Sequence, residues 1–209
     1  MGRVERIGWW VEMDDGLKVF SAKCESGYPG GYPVGYLSWC RKNGWWGDRR
    51  IHLCAGGVID PEADKVDIQR NTIPGDSSGN RGHAKNTDGS YQTTANIIAD
   101  GRDTKLAPNQ YDAVFIDPPY SLDLAYRLYG LKAKDNYSGI FAFLKEAYRL
   151  CKPGGLIITL SYEIPPIVAD LELIARYGVY QIPSVRNMSG HFVFRKPGDR
   201  VANGLEKWL

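Results

Sequence analysis

The chain has 209 residues, 43% of them apolar and 24% charged, and its 26 Lys and Arg against 24 Asp and Glu give a formal net charge of +2. That length and apolar content suit one globular domain and exclude a disordered tail. So small a net charge excludes a global field that gathers polyanions. No stretch approaches the roughly 20 apolar residues that cross a bilayer, and the front of the chain shows no apolar leader, so a cytoplasmic protein without a membrane partner is expected. Cys24, Cys40, Cys54 and Cys151 and the histidines His52, His83 and His191 lack ligand spacing, so neither a disulfide framework nor a metal site is expected.

In chain order, residues 1–50 carry Tyr28-Pro29-Gly30-Gly31-Tyr32-Pro33, and residues 33–42 read as a short helix begun by proline, with Tyr36, Leu37 and Cys40 on one side. Trp9, Trp10, Trp39, Trp45 and Trp46 suit packing. Four short apolar runs follow: Ile51-His52-Leu53-Cys54-Ala55, Lys65-Val66-Asp67-Ile68, Asn96-Ile97-Ile98-Ala99-Asp100 and Tyr111-Asp112-Ala113-Val114-Phe115-Ile116-Asp117. A fifth, residues 155–160, follows Lys152-Pro153-Gly154-Gly155. Runs of this length suit strands of a largely parallel sheet buried on both faces. Residues 69–94, rich in Gly, Ser, Asn and Asp, form an irregular insertion. A helix is expected near Leu122, carrying Leu124, Ala125, Leu128 and Tyr129, and another over 140–150, where Ile140, Phe143, Leu144, Ala147 and Leu150 recur at helical spacing. Residues 171–209 form a hairpin, pairing 179–182 with 191–194, and a basic tail. Strands alternating with helices give one α/β domain, a mostly parallel sheet closed by a C-terminal antiparallel hairpin. Only residues 58–64 separate the first two of these strands, too few for an ordinary parallel crossover, so that crossover helix is expected to shrink to a turn.

The residues that carry chemistry are Asp117-Pro118-Pro119-Tyr120, directly after a buried strand. Ligands of open α/β sheets bind at that edge. Two prolines fix the backbone and supply no N–H, and the aromatic offers a stacking face. An exocyclic amine of a base is a poor nucleophile, because its lone pair is delocalised into the ring. The Asp117 carboxylate and the Pro118 carbonyl can accept its two protons, Tyr120 can hold the base by stacking, and attack on a sulfonium methyl becomes largely a matter of positioning.

At these residues the sequence resembles the S-adenosylmethionine-dependent amino-methyltransferases of DNA, whose targets are adenine N6 and cytosine N4. The resemblance covers about half the chain and rests on an ordered set: Cys54-Ala55-Gly56-Gly57, Asp67, Asp100-Gly101, the Asp-Pro-Pro-Tyr, and Leu150-Cys151-Lys152-Pro153-Gly154-Gly155-Leu156. It implies a Rossmann-like methyltransferase sandwich with S-adenosylmethionine as cofactor. It also implies that Cys54, Ala55 and Gly56 approach the methionine moiety, Asp67 the ribose hydroxyls, and Asp100 and Gly101 the adenine. Tyr32 and Pro33 would belong to a segment closing over the cofactor, and Asp117 would border it. The catalytic set carried over is Asp117, Pro118, Pro119 and Tyr120. The sequence departs from the pattern before Gly56, where an acid or aromatic and a Gly-x-Gly turn are usual.

The expected activity is methylation of adenine N6 in DNA, with the target flipped from the stack. Cytosine-N4 or RNA-base methylation is the alternative, and a catalytically idle module that binds nucleic acid or a partner is the alternative of another class. Little chain remains for a recognition domain, so recognition would rest on the 69–94 insertion, the segment after Tyr120, and the basic tail with Arg176, Arg186, Arg195, Lys196 and Arg200. Oligomeric state is not legible in the sequence.

Overall fold

A computed structural model describes residues 5–7, 10–12, 17–24, 31–68, 93–119, 139–166, 170–182 and 188–198. Tyr120, the helix expected near Leu122, most of the 69–94 insertion, Trp9, Arg186, Arg200 and the last eleven residues lie outside these.

The strands are β1 (Glu5–Ile7), β2 (Trp10–Glu12), β3 (Leu17–Cys24), β4 (Pro33–Val34), β5 (Arg50–Leu53), β6 (Asp64–Asp67), β7 (Ile97–Ile98), β8 (Tyr111–Ile116), β9 (Cys151–Ser161), β10 (Glu172–Ile182) and β11 (Met188–Arg195). The helices are α1 (Tyr36–Lys42) and α2 (Ile140–Leu150). One sheet runs in the order β1-β2-β3-β10-β11-β9-β8-β5-β6-β7, with β4 beside β3. From β7 to β9 every neighbouring pair is parallel, whereas β11 is antiparallel to both β9 and β10. This is a Rossmann-like α/β arrangement, its parallel core closed by the C-terminal antiparallel hairpin. The chain runs outward from β5 through β6 to β7 and then returns to lay β8 on the other side of β5. The direction of winding therefore reverses between β5 and β8, where open α/β sheets bind ligands.

Each face of the sheet has its own core. One holds Ile51, Leu53, Val66, Val114, Ile116 and Ile157 under Ile140, Phe143, Leu144, Ala147 and Leu150 of α2. The other holds Ala113, Phe115, Ile158, Leu160, Val179 and Val193 under Tyr32 and Tyr36, Trp39 and Cys40 of α1. Trp39 is buried, and Trp45 and Trp46 pack half-buried beside it.

Several boundaries differ from the sequence reading, for physical reasons. The first helix starts at Tyr36, because Val34 pairs Ser21 and Gly35, at φ 88°, turns the chain out of the strand. α2 does stop at Leu150, but β9 begins at once, and 152–155 form a bulge between the Tyr111–Cys151 and Ala113–Leu156 pairs. There Gly154 has φ 78°, and a Cβ on Gly155 would lie 2.9 Å from the Asp112 carbonyl oxygen. The hairpin forms in a different register, with Val179 opposite Ser189 and Tyr177 opposite His191. Pairing 179–182 with 191–194 would put Val179 on the face of Phe194, whereas the two belong to opposite cores. β1 to β3 are elements the sequence did not signal, and β3 joins the sheet parallel to β10. Among the described residues no helix is long and apolar enough to cross a membrane.

Candidate functional site at the carboxyl edge

The turn between β5 and β6 contains no helix, as the short spacing led one to expect. Its place on the α1 face is taken by a buried polar cluster. Arg50 and His52, alternate residues of β5, and Lys65 of β6 point there rather than apolar side chains. Arg50 Nε donates to Asp60 Oδ2 at 2.6 Å and Nη2 to Oδ1 at 2.5 Å. His52 Nε2 lies 3.1 Å from Asp60 Oδ2, and Lys65 Nζ donates to the Asp60 carbonyl at 2.8 Å. Burial pushes the Asp60 carboxyl up, but His52 and Arg50 outweigh it and hold the group well below the ordinary range. Burial lowers the His52 pKa from its ordinary value, against the hydrogen bond to Asp60, which raises it.

Above this cluster, the parallel strands β5, β6, β7 and β8 deliver the sequence-selected residues to one edge. Leu53 and Ile116 are register partners, so Cys54 and Asp117 leave adjacent strands at the winding reversal, and Asp117 N lies 3.4 Å from the Leu53 carbonyl oxygen. Asp67, the last residue of β6, accepts from Gly56 N at 2.9 Å through Oδ2 and from Ile68 N at 2.8 Å through Oδ1. Ala55 N donates to the Val66 carbonyl at 2.9 Å. Thr93 and Thr94 hydroxyls donate to the Gly56 and Val58 carbonyls at 2.5 and 2.6 Å. Gly101 is packed so closely that a Cβ there would lie 3.1 Å from the Phe143 ring and 3.4 Å from Cys54 Sγ.

Cys54 is where these groups meet. Burial raises its thiol well above the usual range, and Asp67, Asp117 and Asp100 raise it further against an opposing Arg102. It also holds φ 61°, a left-handed conformation unusual for a side-chain-bearing residue. Tyr32 stacks on Tyr36 at 4.9 Å, and burial, with Asp117 next, raises its pKa well above the usual range. Asp117 is 7% exposed, Pro118 is buried and Pro119 half-buried.

Two features qualify the sequence reading. Asp100 is gripped by Arg102, whose Nη2 reaches Oδ2 at 2.6 Å and whose Nε reaches Oδ1 at 2.9 Å. Burial pushes the Asp100 carboxyl up, and the Arg102 hydrogen bonds bring it below the ordinary value. A ligand at Asp100 therefore shares it with a guanidinium that no motif signalled. Second, a cavity of about 300 Å³ opens between α1 and the turn after β5, lined among others by Tyr32, Pro33, Arg41, Trp46, Gly57 and Glu62. It takes in Tyr32 and Pro33 but not Asp67, Asp100 or Asp117. Of the basic tail residues, Lys196 is buried, its Nζ donating to Asn109 Oδ1 and to the Tyr148 and Cys151 carbonyls at 2.7–2.8 Å. It closes the carboxyl end of α2 and is not a nucleic-acid contact; Arg176 and Arg195 are exposed.

No family model matches the chain, and no curated protein matches it in sequence. Solved structures similar to it in outline include TrmN from Thermus thermophilus, at 15% identity over 77% of this chain with a TM-score of 0.42. Another is a putative methyltransferase, yhhF, from Escherichia coli, at 12% identity over 82% of this chain and 91% of that one, with a TM-score of 0.43. The chain spans about half, 47%, of the length of the Thermus structure. At such identities and scores, the functional reading rests on the strand order and residues described above.

Proposed function

We propose that the protein methylates the exocyclic amine of a nucleic-acid base, adenine N6 in DNA first among them, with S-adenosylmethionine as donor. The observation that carries the reading is the convergence of Asp67, Asp100 and Asp117 around Cys54 and the Gly56 turn, at the one edge where the winding reverses.

The donor set suits that cofactor. The Gly56 and Ile68 amides fix the Asp67 carboxylate at the end of β6, and that carboxylate is assigned the vicinal ribose hydroxyls, for which it is a suitable acceptor. On the α1 side Tyr32 and Pro33 line the cavity, which does not reach Asp67, Asp100 or Asp117; the cofactor is assigned to the turn that Asp67 holds, where Ala55 and Gly56 add little side-chain bulk. Bound there, the cofactor supplies an electrophilic methyl group on a sulfonium. Asp117 and the Pro118 carbonyl accept the two N–H bonds of the target amine, drawing its lone pair out of conjugation. As the C–N bond forms the methyl's C–S bond breaks and a neutral thioether leaves, so the amine, now cationic, must lose one proton, which the Asp117 carboxylate is assigned to accept. Tyr120, next in sequence, is assigned the face on which the base stacks. The target must leave a duplex to reach these groups.

The test is incubation with tritiated S-adenosylmethionine and DNA, followed by nucleoside mass spectrometry. N6-methyladenine is expected, and Asp117→Ala should lower its formation by at least about 10³-fold, while calorimetry shows cofactor affinity within a few-fold of wild type. N4-methylcytosine or a methylated RNA base reassigns the target. Methyl transfer to no polynucleotide, or full activity in Asp117→Ala, refutes the reading.

A further inference from the structure

The turn after β9 is braced on both sides, yet it holds apolar side chains out to solvent. Glu163 N donates to Ser161 Oγ at 3.1 Å, and the Glu163 carboxylate accepts from Ile140 N at 3.0 Å, fastening the turn to the first residue of α2. Pro165 is buried behind it. On this support Ile164 is 82% exposed and Tyr162 39%, flanked by exposed Phe141 at the start of α2 and exposed Met188 at the start of β11.

A single exposed aliphatic side chain needs no explanation. Four large apolar residues at one corner of the functional edge do. Thr159 is the register partner of Ile116 in the parallel β8–β9 pair, so the chain leaves β9 beside Asp117-Pro118. The turn therefore lies on the same edge of the sheet as the residues assigned to the target amine. Its chemistry suits the faces of bases rather than phosphates, since the one charged side chain in the turn, Glu163, is committed to the α2 amide. A base that swings out of a duplex leaves a gap whose neighbours lose a stacking partner, and apolar side chains inserted into a base step offset that loss.

We propose that the 162–164 turn is a wedge that enters the base stack of a duplex beside the target, with Ile164 filling the gap and Tyr162 lying against the neighbouring base. The proposal rests on the base-methyltransferase reading above. It makes the turn matter for duplex substrate and not for single strands, a distinction that a merely structural role would not produce.

The experiment compares wild type, Ile164→Ala, Ile164→Met and Tyr162→Ala on polymerase-amplified DNA free of methyl groups, native or heat-denatured, at saturating S-adenosylmethionine. Ile164→Ala should lower kcat/KM on native DNA by about tenfold or more and on denatured DNA by less than about twofold, with Ile164→Met recovering most of the loss. Tyr162→Ala should show the same asymmetry. Equal losses on both substrates, no loss on native DNA, or a wild-type enzyme active only on single strands or RNA overturns the wedge while leaving the methyltransferase reading standing. A wild-type protein that methylates no polynucleotide overturns both.

Discussion

The titration of His191 offers a test of the fold that is independent of activity. Its ring is fully buried among Tyr36, Trp39, Trp45 and Tyr177, with Nδ1 2.7 Å from the Tyr36 hydroxyl and no hydrogen-bond partner for Nε2. Burial alone lowers its pKa from 6.5 to about 3. Above pH 6.5 the ring is neutral folded or unfolded, and it adds no pH dependence. Below that, the unfolded chain binds a proton that the folded protein refuses, so stability falls with pH by about 1.4 kcal/mol per unit until the pH nears 3. Between pH 7 and 5 this amounts to about 2 kcal/mol. His52, also lowered by burial, adds to the loss with the same sign. Urea unfolding followed by tryptophan fluorescence at pH 7, 6 and 5 measures it. His191→Gln, which does not titrate but can still accept from Tyr36, should lose about 2 kcal/mol less than wild type over that interval. An identical pH dependence in the two proteins would refute the reasoning.

Three further predictions concern groups that hold the site. Asp60→Ala leaves the buried Arg50 guanidinium with only the exposed Glu62 carboxylate, at 3.0 Å, as counter-charge and should cost about 3 kcal/mol in urea unfolding; much of that should return when Arg50→Met is added, because the poorly compensated charge goes with it. Lys196→Met removes the three hydrogen bonds to Asn109, Tyr148 and Cys151 and should cost about 2–4 kcal/mol in urea unfolding; a stability equal to wild type would show that the buried ammonium does not hold the end of α2. Cys54→Gly should be more stable than Cys54→Ala by about 1–2 kcal/mol, because glycine adopts φ 61° without strain, and equal stabilities would show that the left-handed conformation carries no penalty.

The middle of the parallel core was legible because Val114-Phe115-Ile116 and Leu156-Ile157-Ile158 are unbroken apolar runs, although β5 alternates polar Arg50 and His52 with Ile51 and Leu53; α2 was legible because five apolar residues recur at helical spacing. The carboxyl-edge residues were legible for a topological reason. Each follows an apolar run directly, and parallel strands must present such residues together. What stayed hidden depends on contacts distant in sequence. β1 to β3 were not read from the sequence: β3 joins the sheet by pairing with β10, and β2 and then β1 pair onto it. The hairpin register depends on which core receives Val179, and that is decided by α1. Arg102 was invisible as a site residue because its grip on Asp100 is a local side-chain contact with no motif. Lys196 read as one of a basic series, although its carbonyl partners lie more than 40 residues away in sequence.

The missing crossover helix explains why the polar cluster and the candidate site belong together. In an ordinary nucleotide-binding α/β unit, a helix N-terminus after the first turn supplies both rigidity and positive potential to a ligand. Here the chain turns back at Gly56 and inserts Asp60 among Arg50, His52 and Lys65, so the floor of the site is fixed by ion pairing below the turn rather than by a helix beside it. Above the turn, rigidity comes from Asp67 on Gly56 N and from Thr93 and Thr94 on the Gly56 and Val58 carbonyls. These bonds spend polar groups on holding the turn, and without a helix dipole the described residues of the edge carry the carboxylates of Asp67, Asp117 and Asp100, the last paired with Arg102. That electrostatic balance favours a ligand carrying positive charge and hydroxyl donors over a dinucleotide pyrophosphate, and a sulfonium attached to a ribose has both properties.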